Sequence, residues 1–253
     1  MNVIYEDPEK FDFNGMKVVD MHCHTTCSDG LNHVDDMIKR AKKLKIGISI
    51  TDHNAIDASV KACKNLFAIP GMEITSNSAI DYLFYFYNVN DLKEFYIKRI
   101  KGRYLKSIAF NLRRLSWSSE ELLDFAREYG CFVSLPHPLT YRPKNSFEYM
   151  NRYPYLLKKI DAIEVLNGIM KKESNDKAIE WCKSLKKAYT GASDAHMTRH
   201  LGRVLTATHA DTVEEFLDNI IKKKNIIVGT CLSKIKRMHV KFRILGRNLT
   251  WIQ

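Results

Sequence analysis

The chain has 253 residues, of which 45% are hydrophobic and 27% are charged, and its formal net charge is +11 at pH 7. This composition is typical of a folded globular protein, and no apolar run is long enough to span a bilayer. Residues 1–10 are acidic and lack the apolar segment of a signal peptide, and the six cysteines are widely spaced. We therefore expect a cytoplasmic protein with reduced thiols and no membrane partner.

Short apolar runs alternate with helical patterns along the chain. The runs at 17–21, 46–51, 67–75, 82–87, 131–135, 161–166, 188–191 and 225–229 predict strands. The patterns at 33–45, 55–66, 118–130, 175–186 and 212–223 predict helices, with a capping box at Ser118 and Glu121. Residues 91–115 have apolar residues about every four positions, which predicts a long helix or a broken pair. Met238 to Ile244 alternate apolar and basic residues, which predicts a basic strand.

This alternation predicts an α/β fold with parallel strands joined by right-handed crossovers. About seven units in this length favour a distorted (β/α)7 TIM-like barrel, and an open doubly wound sheet is the alternative. We expect a single domain over 1–253. Its core is expected at about 17–230, followed by a short basic C-terminal β extension at 231–253.

Imidazole and carboxylate side chains follow the predicted strands in fixed order. His22 and His24 form a His-x-His pair, whose imidazoles point the same way from a strand. The full candidate set is His22, His24, Asp29, His53, Glu73, His137, Asp194 and His196. Nitrogen and oxygen ligands of this kind suit zinc, manganese or iron. Cys23 and Cys27 flank the first histidines but are not counted among the ligands.

The motifs DMHCHTTCSDG, TDHN, GME, PHP and GASDAH resemble those of the PHP superfamily, the polymerase and histidinol phosphatase domain, over about residues 17–230. The resemblance implies the PHP type of barrel, with two or three divalent metals at its C-terminal mouth, and hydrolysis of phosphate esters. It implies one metal among His22, His24, Glu73 and Asp194, and another among Asp29, His53 and His196. It also implies that Glu73 bridges to a third position shared with His137.

One position departs from this pattern. Many members carry a histidine just before the strand that follows the Gly-x-Glu motif, and this chain has Ala79-Ile80-Asp81 there. Asp81 is either a substitute oxygen ligand or a strand-start residue that faces water. A third metal is expected only if Asp81 is a ligand.

The expected chemistry is hydrolysis by an acidified water that bridges two metals. Three carboxylates leave the site at about +1 with two divalent ions and at about +3 with three, and either charge attracts phosphate. The residues expected to act in catalysis are Asp29, His53, His137, Asp194 and His196. Asp20 and Asp52, which lie just before metal histidines, either orient imidazoles or cap strand ends.

For substrate binding, Arg142 is the strongest phosphate clamp, because a guanidinium binds phosphate through two parallel hydrogen bonds. Arg199, His200 and Arg203 are weaker candidates. These observations favour a phosphoesterase acting on a small phosphorylated metabolite or nucleotide. A nuclease that trims nucleic-acid ends is one alternative, because residues 98–114 and the C-terminal segment are basic. A non-catalytic nucleic-acid-binding module with structural metals is another, and the sequence leaves the oligomeric state open.

Overall fold

The computed structural model describes residues 1–105, 114–140 and 144–250, with side chains described up to residue 246. The strands are β1 Asn2–Ile4, β2 Lys17–Cys23, β3 Gly47–Ile50, β4 Gly71–Thr75, β5 Asp81–Tyr85, β6 Phe132–Leu135, β7 Ala162–Asn167, β8 Ala188–Ala192, β9 Val204–Thr208 and β10 Ile226–Gly229. The helices are α1 Val34–Leu44, α2 Asp57–Cys63, α3 Val89–Phe95, α4 Ser119–Glu128, α5 Ser146–Arg152, α6 Lys172–Ser184, α7 Val213–Ile221 and α8 Lys234–Thr250. The predicted α/β class is confirmed, and so is the capping box at the start of α4.

The strands form two five-stranded sheets, in the orders β1-β10-β9-β2-β3 and β4-β5-β6-β7-β8. Isolated bridges join the sheets at two places: Ile48 to Ala68 and His53 to Glu73 on one side, and Cys23 to Ala195 on the other. Within the described residues the regular pairing does not close into one barrel. The strand ends that carry the polar motifs nevertheless meet where these bridges lie.

Parallel pairing holds only for part of the fold. The pairs β2–β3, β6–β7 and β7–β8 are parallel, as expected, but β4–β5, β5–β6, β2–β9 and β9–β10 are antiparallel. Thr75 pairs with Asp81, so only residues 76–80 connect β4 to β5. A crossover needs a dozen residues or more, so this connection permits only a hairpin. Strand β9, which the sequence analysis did not predict, lies between β2 and β10.

The prediction of one long helix over 91–115 is wrong, because the helical segment ends at Ile100 and residues 101–105 and 114–115 are not helical. The α-helical hydrogen bonding of α3 ends at Phe95, and a π-helical segment, Tyr96–Ile100, follows it directly. The backbone N–H of Leu105 then donates to the carbonyl of Arg114, and Tyr104 bridges antiparallel to Leu115. Residues 105 and 114 therefore lie side by side, and residues 106–113 are outside the described part of the chain.

The predicted C-terminal β extension is also wrong, because residues 234–250 form helix α8. A short apolar alternation fits a helix as well when the same residues also recur four apart. Val240, which is buried, and Ile244 pack with Leu232 and Met197, and this contact selects the helix. As a result Arg237 and Lys241, also four apart, share one face of α8.

All six cysteines are free thiols, and Cys23 is fully buried with its Sγ 3.4 Å from the Ser49 carbonyl oxygen. None of the candidate metal-binding groups in the described part of the chain includes a cysteine. Among the same residues, no helix has the length and apolar character required to cross a bilayer.

Candidate metal centre

The structure brings all eight candidate ligands together at one edge of the two sheets. His22 lies on β2 and His24 directly after it, while Glu73 lies on β4. The remaining five lie in loops that follow strands: Asp29, His53, His137, Asp194 and His196. Their ligand atoms fall into several overlapping groups of three, each within 4.8 Å of one another.

Four of these side chains have the spacing of a tetrahedral metal site. The Nε2 atoms of His22 and His24 are 3.0 Å apart. Each lies 3.4 Å from Oε2 of Glu73, and 3.6 and 3.4 Å, respectively, from Oδ1 of Asp194. Ligands about 2.0–2.1 Å from a tetrahedral zinc lie about 3.3–3.4 Å from one another. Five of the six distances among these four ligand atoms therefore suit one divalent ion, and His22, His24 and Glu73 form one candidate metal-binding group.

A second group lies beside the first. Nε2 of His196 is 3.2 Å from Oδ2 of Asp29, and Nε2 of His53 is 3.9 Å from the same oxygen. His53 is also 3.3 Å from Oε2 of Glu73, which joins the two groups. Nδ1 of His24 is 3.5 Å from Oδ1 of Asp29. These side chains form a second set of candidate ligands, which contacts the first set through Glu73 and His24.

Glu73 is the centre of the cluster and is 1% exposed. Its Oε1 lies 3.3 Å from Nε2 of His137, yet this oxygen has no hydrogen-bond partner among the described residues. A buried carboxylate oxygen without a partner is costly, and such oxygens commonly face a bound cation. The donor set therefore fits the divalent metals expected from the sequence.

The electrostatics of the cluster require positive charge. Burial opposes protonation of His196, but Asp29 outweighs it and raises the pKa of His196 to about 9. Asp194 and Glu164 likewise outweigh burial and raise the pKa of His22. Imidazoles that ligate metal must be neutral, so bound cations would replace these protons opposite the carboxylates.

The backbone around the cluster adopts unusual conformations. His137 and Asp194 have φ values of 27° and 52°, in the left-handed region that most residues avoid. A Cβ on Gly30 would lie 2.4 Å from the backbone carbonyl of His24, so the loop that carries Asp29 can pack there only with glycine. Strain of this kind is typical of functional sites, where surrounding contacts hold it in place.

Glu164 on β7 belongs to the centre although the sequence analysis did not identify it. Its Oε1 lies 3.1 Å from Nδ1 of His22, and its Oε2 accepts hydrogen bonds from the His137 N–H at 2.8 Å and from Asn167 at 2.9 Å. Asn167 also donates to Oδ2 of Asp194 at 3.2 Å. A lone carboxylate among the apolar residues 162–166 was the available signal, since a buried charge requires partners.

Asp20 and Asp52 accept hydrogen bonds from loops at the centre. Asp20 accepts hydrogen bonds from the N–H groups of Ser193 and Gly202, and burial raises its pKa to about 6. Asp52 accepts from the N–H and hydroxyl of Thr25, at 2.7 and 2.6 Å. Asp20 thus holds the loop after β8, and Asp52 holds the loop after β2, where the Ser28 hydroxyl lies between Asp52 and Nδ1 of His24.

A cavity of about 270 Å³ opens over the cluster, and Arg199, His200 and Arg203 are not among the described residues that line it. Arg199 is exposed, His200 is buried, and Arg203 donates to the hydroxyl of Thr230 at 2.8 Å. Arg142 lies outside the described residues. The cations that do line the cavity are Lys144, Lys171, Arg237 and Lys241. The sequence analysis missed them because their approach depends on how the loop before α5 and helix α8 pack.

Asp81 lies inside the centre, on the first position of β5, and is 2% exposed. Its carboxylate is grouped with the ligand atoms of His53 and Glu73. The expectation that Asp81 faces water is therefore wrong. Its Oδ2 forms an ion pair with Nζ of Lys144 at 2.7 Å, and its Oδ1 accepts from the Thr75 hydroxyl at 2.6 Å.

The family of PHP-associated domains matches residues 172–225. An uncharacterized protein of Methanocaldococcus jannaschii, MJ0417, is 32% identical over 189 residues, which cover 73% of this chain and 67% of that protein. The 5'-3' exoribonuclease Rnm of Salmonella typhimurium is 35% identical over 74 residues, which cover 26% of this chain and only 25% of the exoribonuclease.

Two solved structures share the fold. Endonuclease Q, in a complex with a 27-mer duplex that carries an abasic lesion, has a TM-score of 0.66 at 17% identity, covering 91% of this chain and 72% of that one. A two-domain protein of Bacteroides vulgatus, containing a predicted PHP-like metal-dependent phosphoesterase, has a TM-score of 0.57 at 17% identity, covering 96% and 73%.

Fold and site together define an α/β protein whose strand ends collect a histidine and carboxylate cluster suited to divalent metals. The ordered motifs and the comparisons then agree on its family. The chain belongs to the PHP superfamily of metal-dependent phosphoesterases.

Proposed function

We propose that this chain hydrolyses a phosphate monoester or a nucleotide at the metal centre, with two divalent ions of zinc, manganese or iron. His22, His24, Glu73 and Asp194 would hold one ion, and Asp29, His53 and His196, with Glu73 shared, the other. The observation that carries this proposal is the spacing of 3.0–3.6 Å among the ligand atoms of the first group. Bound divalent ions supply Lewis-acid polarisation of the phosphoryl group and lower the pKa of water.

The residues of the chain prepare this centre. Glu164 fixes the ring of His22 and the backbone at His137, so these two side chains keep one orientation before substrate arrives. Asn167 does the same for Asp194. Such fixed positions remove the cost of reorganisation during the reaction.

Charge then draws the phosphate to the centre. Glu164 adds a fourth carboxylate to Asp29, Glu73 and Asp194, so two divalent ions would leave these groups near neutral rather than positive. Because Lys144 is paired with Asp81, the excess positive charge among the described residues comes from Lys171, Arg237 and Lys241, which line the cavity. A cavity of about 270 Å³ suits a small phosphorylated substrate.

The proposal is tested by metal analysis of protein purified without chelator, followed by a panel of phosphoesters with the metal found. We expect His53→Ala and Asp194→Ala to lower kcat/KM by more than about 100-fold, because each removes a ligand. Circular dichroism of both variants checks that the fold is retained. Undiminished hydrolysis by both would refute the assignment of the centre.

A nuclease acting at nucleic-acid ends is the second candidate. Arg237 and Lys241 extend positive charge from the cavity along α8, and Endonuclease Q shares the fold. The basic stretch of 98–114 gives less support, since Lys98 and Arg99 form ion pairs with Glu94 and Glu128. Turnover of labelled oligonucleotides against nucleoside monophosphates separates the two functions, and a rate independent of salt would exclude the nuclease.

The same proposal covers the architecture. We infer that strands β2 to β8 act as a distorted barrel within a single domain over 1–253. The bridges between the sheets, at His53 with Glu73 and at Cys23 with Ala195, support it.

A further inference from the structure

The third metal position of the PHP pattern lacks a complete set of ligands in this chain. It would need a donor besides Glu73 and His137, and the candidate donor at the departing position is Asp81, which is grouped with His53 and Glu73. The Asp81 carboxylate already faces a cation, because its Oδ2 lies 2.7 Å from Nζ of Lys144, and its Oδ1 accepts from the Thr75 hydroxyl. A divalent ion bound by Asp81 would lie beside this ammonium, and the two positive charges would repel each other.

Lys144 supplies positive charge in the same place. Its side chain is 26% exposed, pairs with Asp81 at 2.7 Å and lines the cavity together with Glu73 and His137. Burial opposes the charge on Lys144, but Asp81 and Glu73 outweigh it and raise the pKa of the ammonium above its usual value. The ammonium of Lys144 thus lies between the buried Asp81 carboxylate and the cavity over the metal centre.

We propose that the ammonium of Lys144 takes the place of the third divalent ion, so that the centre binds two ions per chain. This inference rests on the metal centre of the proposed function. Lys144 neutralises Asp81, and its three N–H donors leave room for a bond to a substrate phosphate. Lys144 is thereby a positioning residue for the phosphate, with a charge that does not depend on metal supply.

The test counts bound ions. Wild-type protein is stripped with chelator, reloaded with excess Mn²⁺, desalted, and analysed for manganese per chain. We expect two ions for the wild type and three for Lys144→Met, because the substitution frees Asp81 to join Glu73 and His137 as a ligand. Lys171→Met is the matched control, since it removes another lysine that lines the cavity, and we expect it to bind two.

A second variant keeps the test decisive if Lys144→Met does not fold. Asp81→Asn should still bind two ions, because Asp81 pairs with Lys144 and ligates no metal. Three ions in the wild type, two in folded Lys144→Met, or loss of an ion in Asp81→Asn would overturn the inference. A wild type that binds no ions would instead contradict the proposed function itself.

Discussion

Glu164 contacts two candidate ligands, His22 and His137, without belonging to either ion-binding group. Carboxylates in this position fix the tautomer and orientation of a histidine and raise its basicity. Because Glu164 is 1% exposed, water cannot replace its oxygens if they are removed. We therefore expect Glu164 to affect metal affinity through His22 and His137, although it is not itself assigned as a ligand.

We expect Glu164→Gln to weaken metal binding by about 10–100-fold, because an amide holds the His22 imidazole less strongly than a carboxylate. Isothermal titration of stripped protein with Mn²⁺ measures the change. Glu180→Gln, which alters an exposed glutamate on α6, is the control and should bind as the wild type does. Equal affinities for Glu164→Gln and the wild type would contradict the role given to Glu164.

The convergence of the eight candidate ligands could be predicted because each belongs to a motif placed after an apolar run. Glu164, Lys144 and Arg237 carry no such spacing signal. Glu164 stands alone within a strand, and the other two reach the cavity only through tertiary packing. The third metal position shows most clearly what the sequence cannot predict. The absence of the usual histidine is visible in the sequence, but the ion pair of Lys144 with Asp81 is not.

At the level of elements, most helices and strands follow from apolar periodicity, whereas the direction of pairing does not. The hairpin from β4 to β5 depends on a connection of only 76–80, and β9 inserts antiparallel between β2 and β10. Helix α8 is stabilised by the packing of Val240 against Leu232 and Met197. A period of two over seven residues carries too little information to exclude this helical contact.

Helix α8 contributes Arg237 and Lys241 to the cavity, so we expect the double variant Arg237→Ala, Lys241→Ala to raise KM by about 10-fold or more. The physical reason is the loss of charge-assisted bonds to phosphate, each of which contributes about 1.5–3 kcal/mol. Initial rates with a phosphoester from the panel, at fixed ionic strength, give KM and kcat separately. We expect kcat to change less than KM.

The matched control removes two other charges from the same helix. Lys234 and Arg243 are exposed and are not among the residues that line the cavity. Lys234→Ala, Arg243→Ala should therefore keep the wild-type KM, although its net charge falls by the same amount. If both double variants raise KM equally, general charge rather than the position of α8 accounts for binding.

For the molecule as a whole, the metal centre connects parts of the chain that are distant in sequence and lie in different sheets. His22 comes from the sheet that contains β2, whereas Glu73 comes from the sheet that contains β4. Ions that bind only the folded chain stabilise it by mass action. The free energy of unfolding of metal-free protein therefore depends on the chain alone, and it includes the effect of protonating buried histidines.

His200 makes the stability of the fold depend on pH. It is 4% exposed, and burial together with Arg199 and Arg203 lowers its pKa to about 4, whereas an unfolded histidine titrates near 6.5. Between these values the unfolded chain binds a proton that the folded chain does not. Stability from neutral His200 is therefore complete above about pH 6.5 and is lost as pH falls towards 4.

We expect His200→Gln, which cannot titrate, to lose less stability than the wild type between pH 7 and pH 5, by on the order of 2 kcal/mol. Urea unfolding of both proteins in chelator measures the difference, and chelator removes the separate effect of acid on metal binding. His209→Gln, at an exposed histidine, should follow the wild type at both pH values. If His200→Gln loses as much stability as the wild type, then His200 is not held neutral by its surroundings, and the acid sensitivity of the fold arises elsewhere.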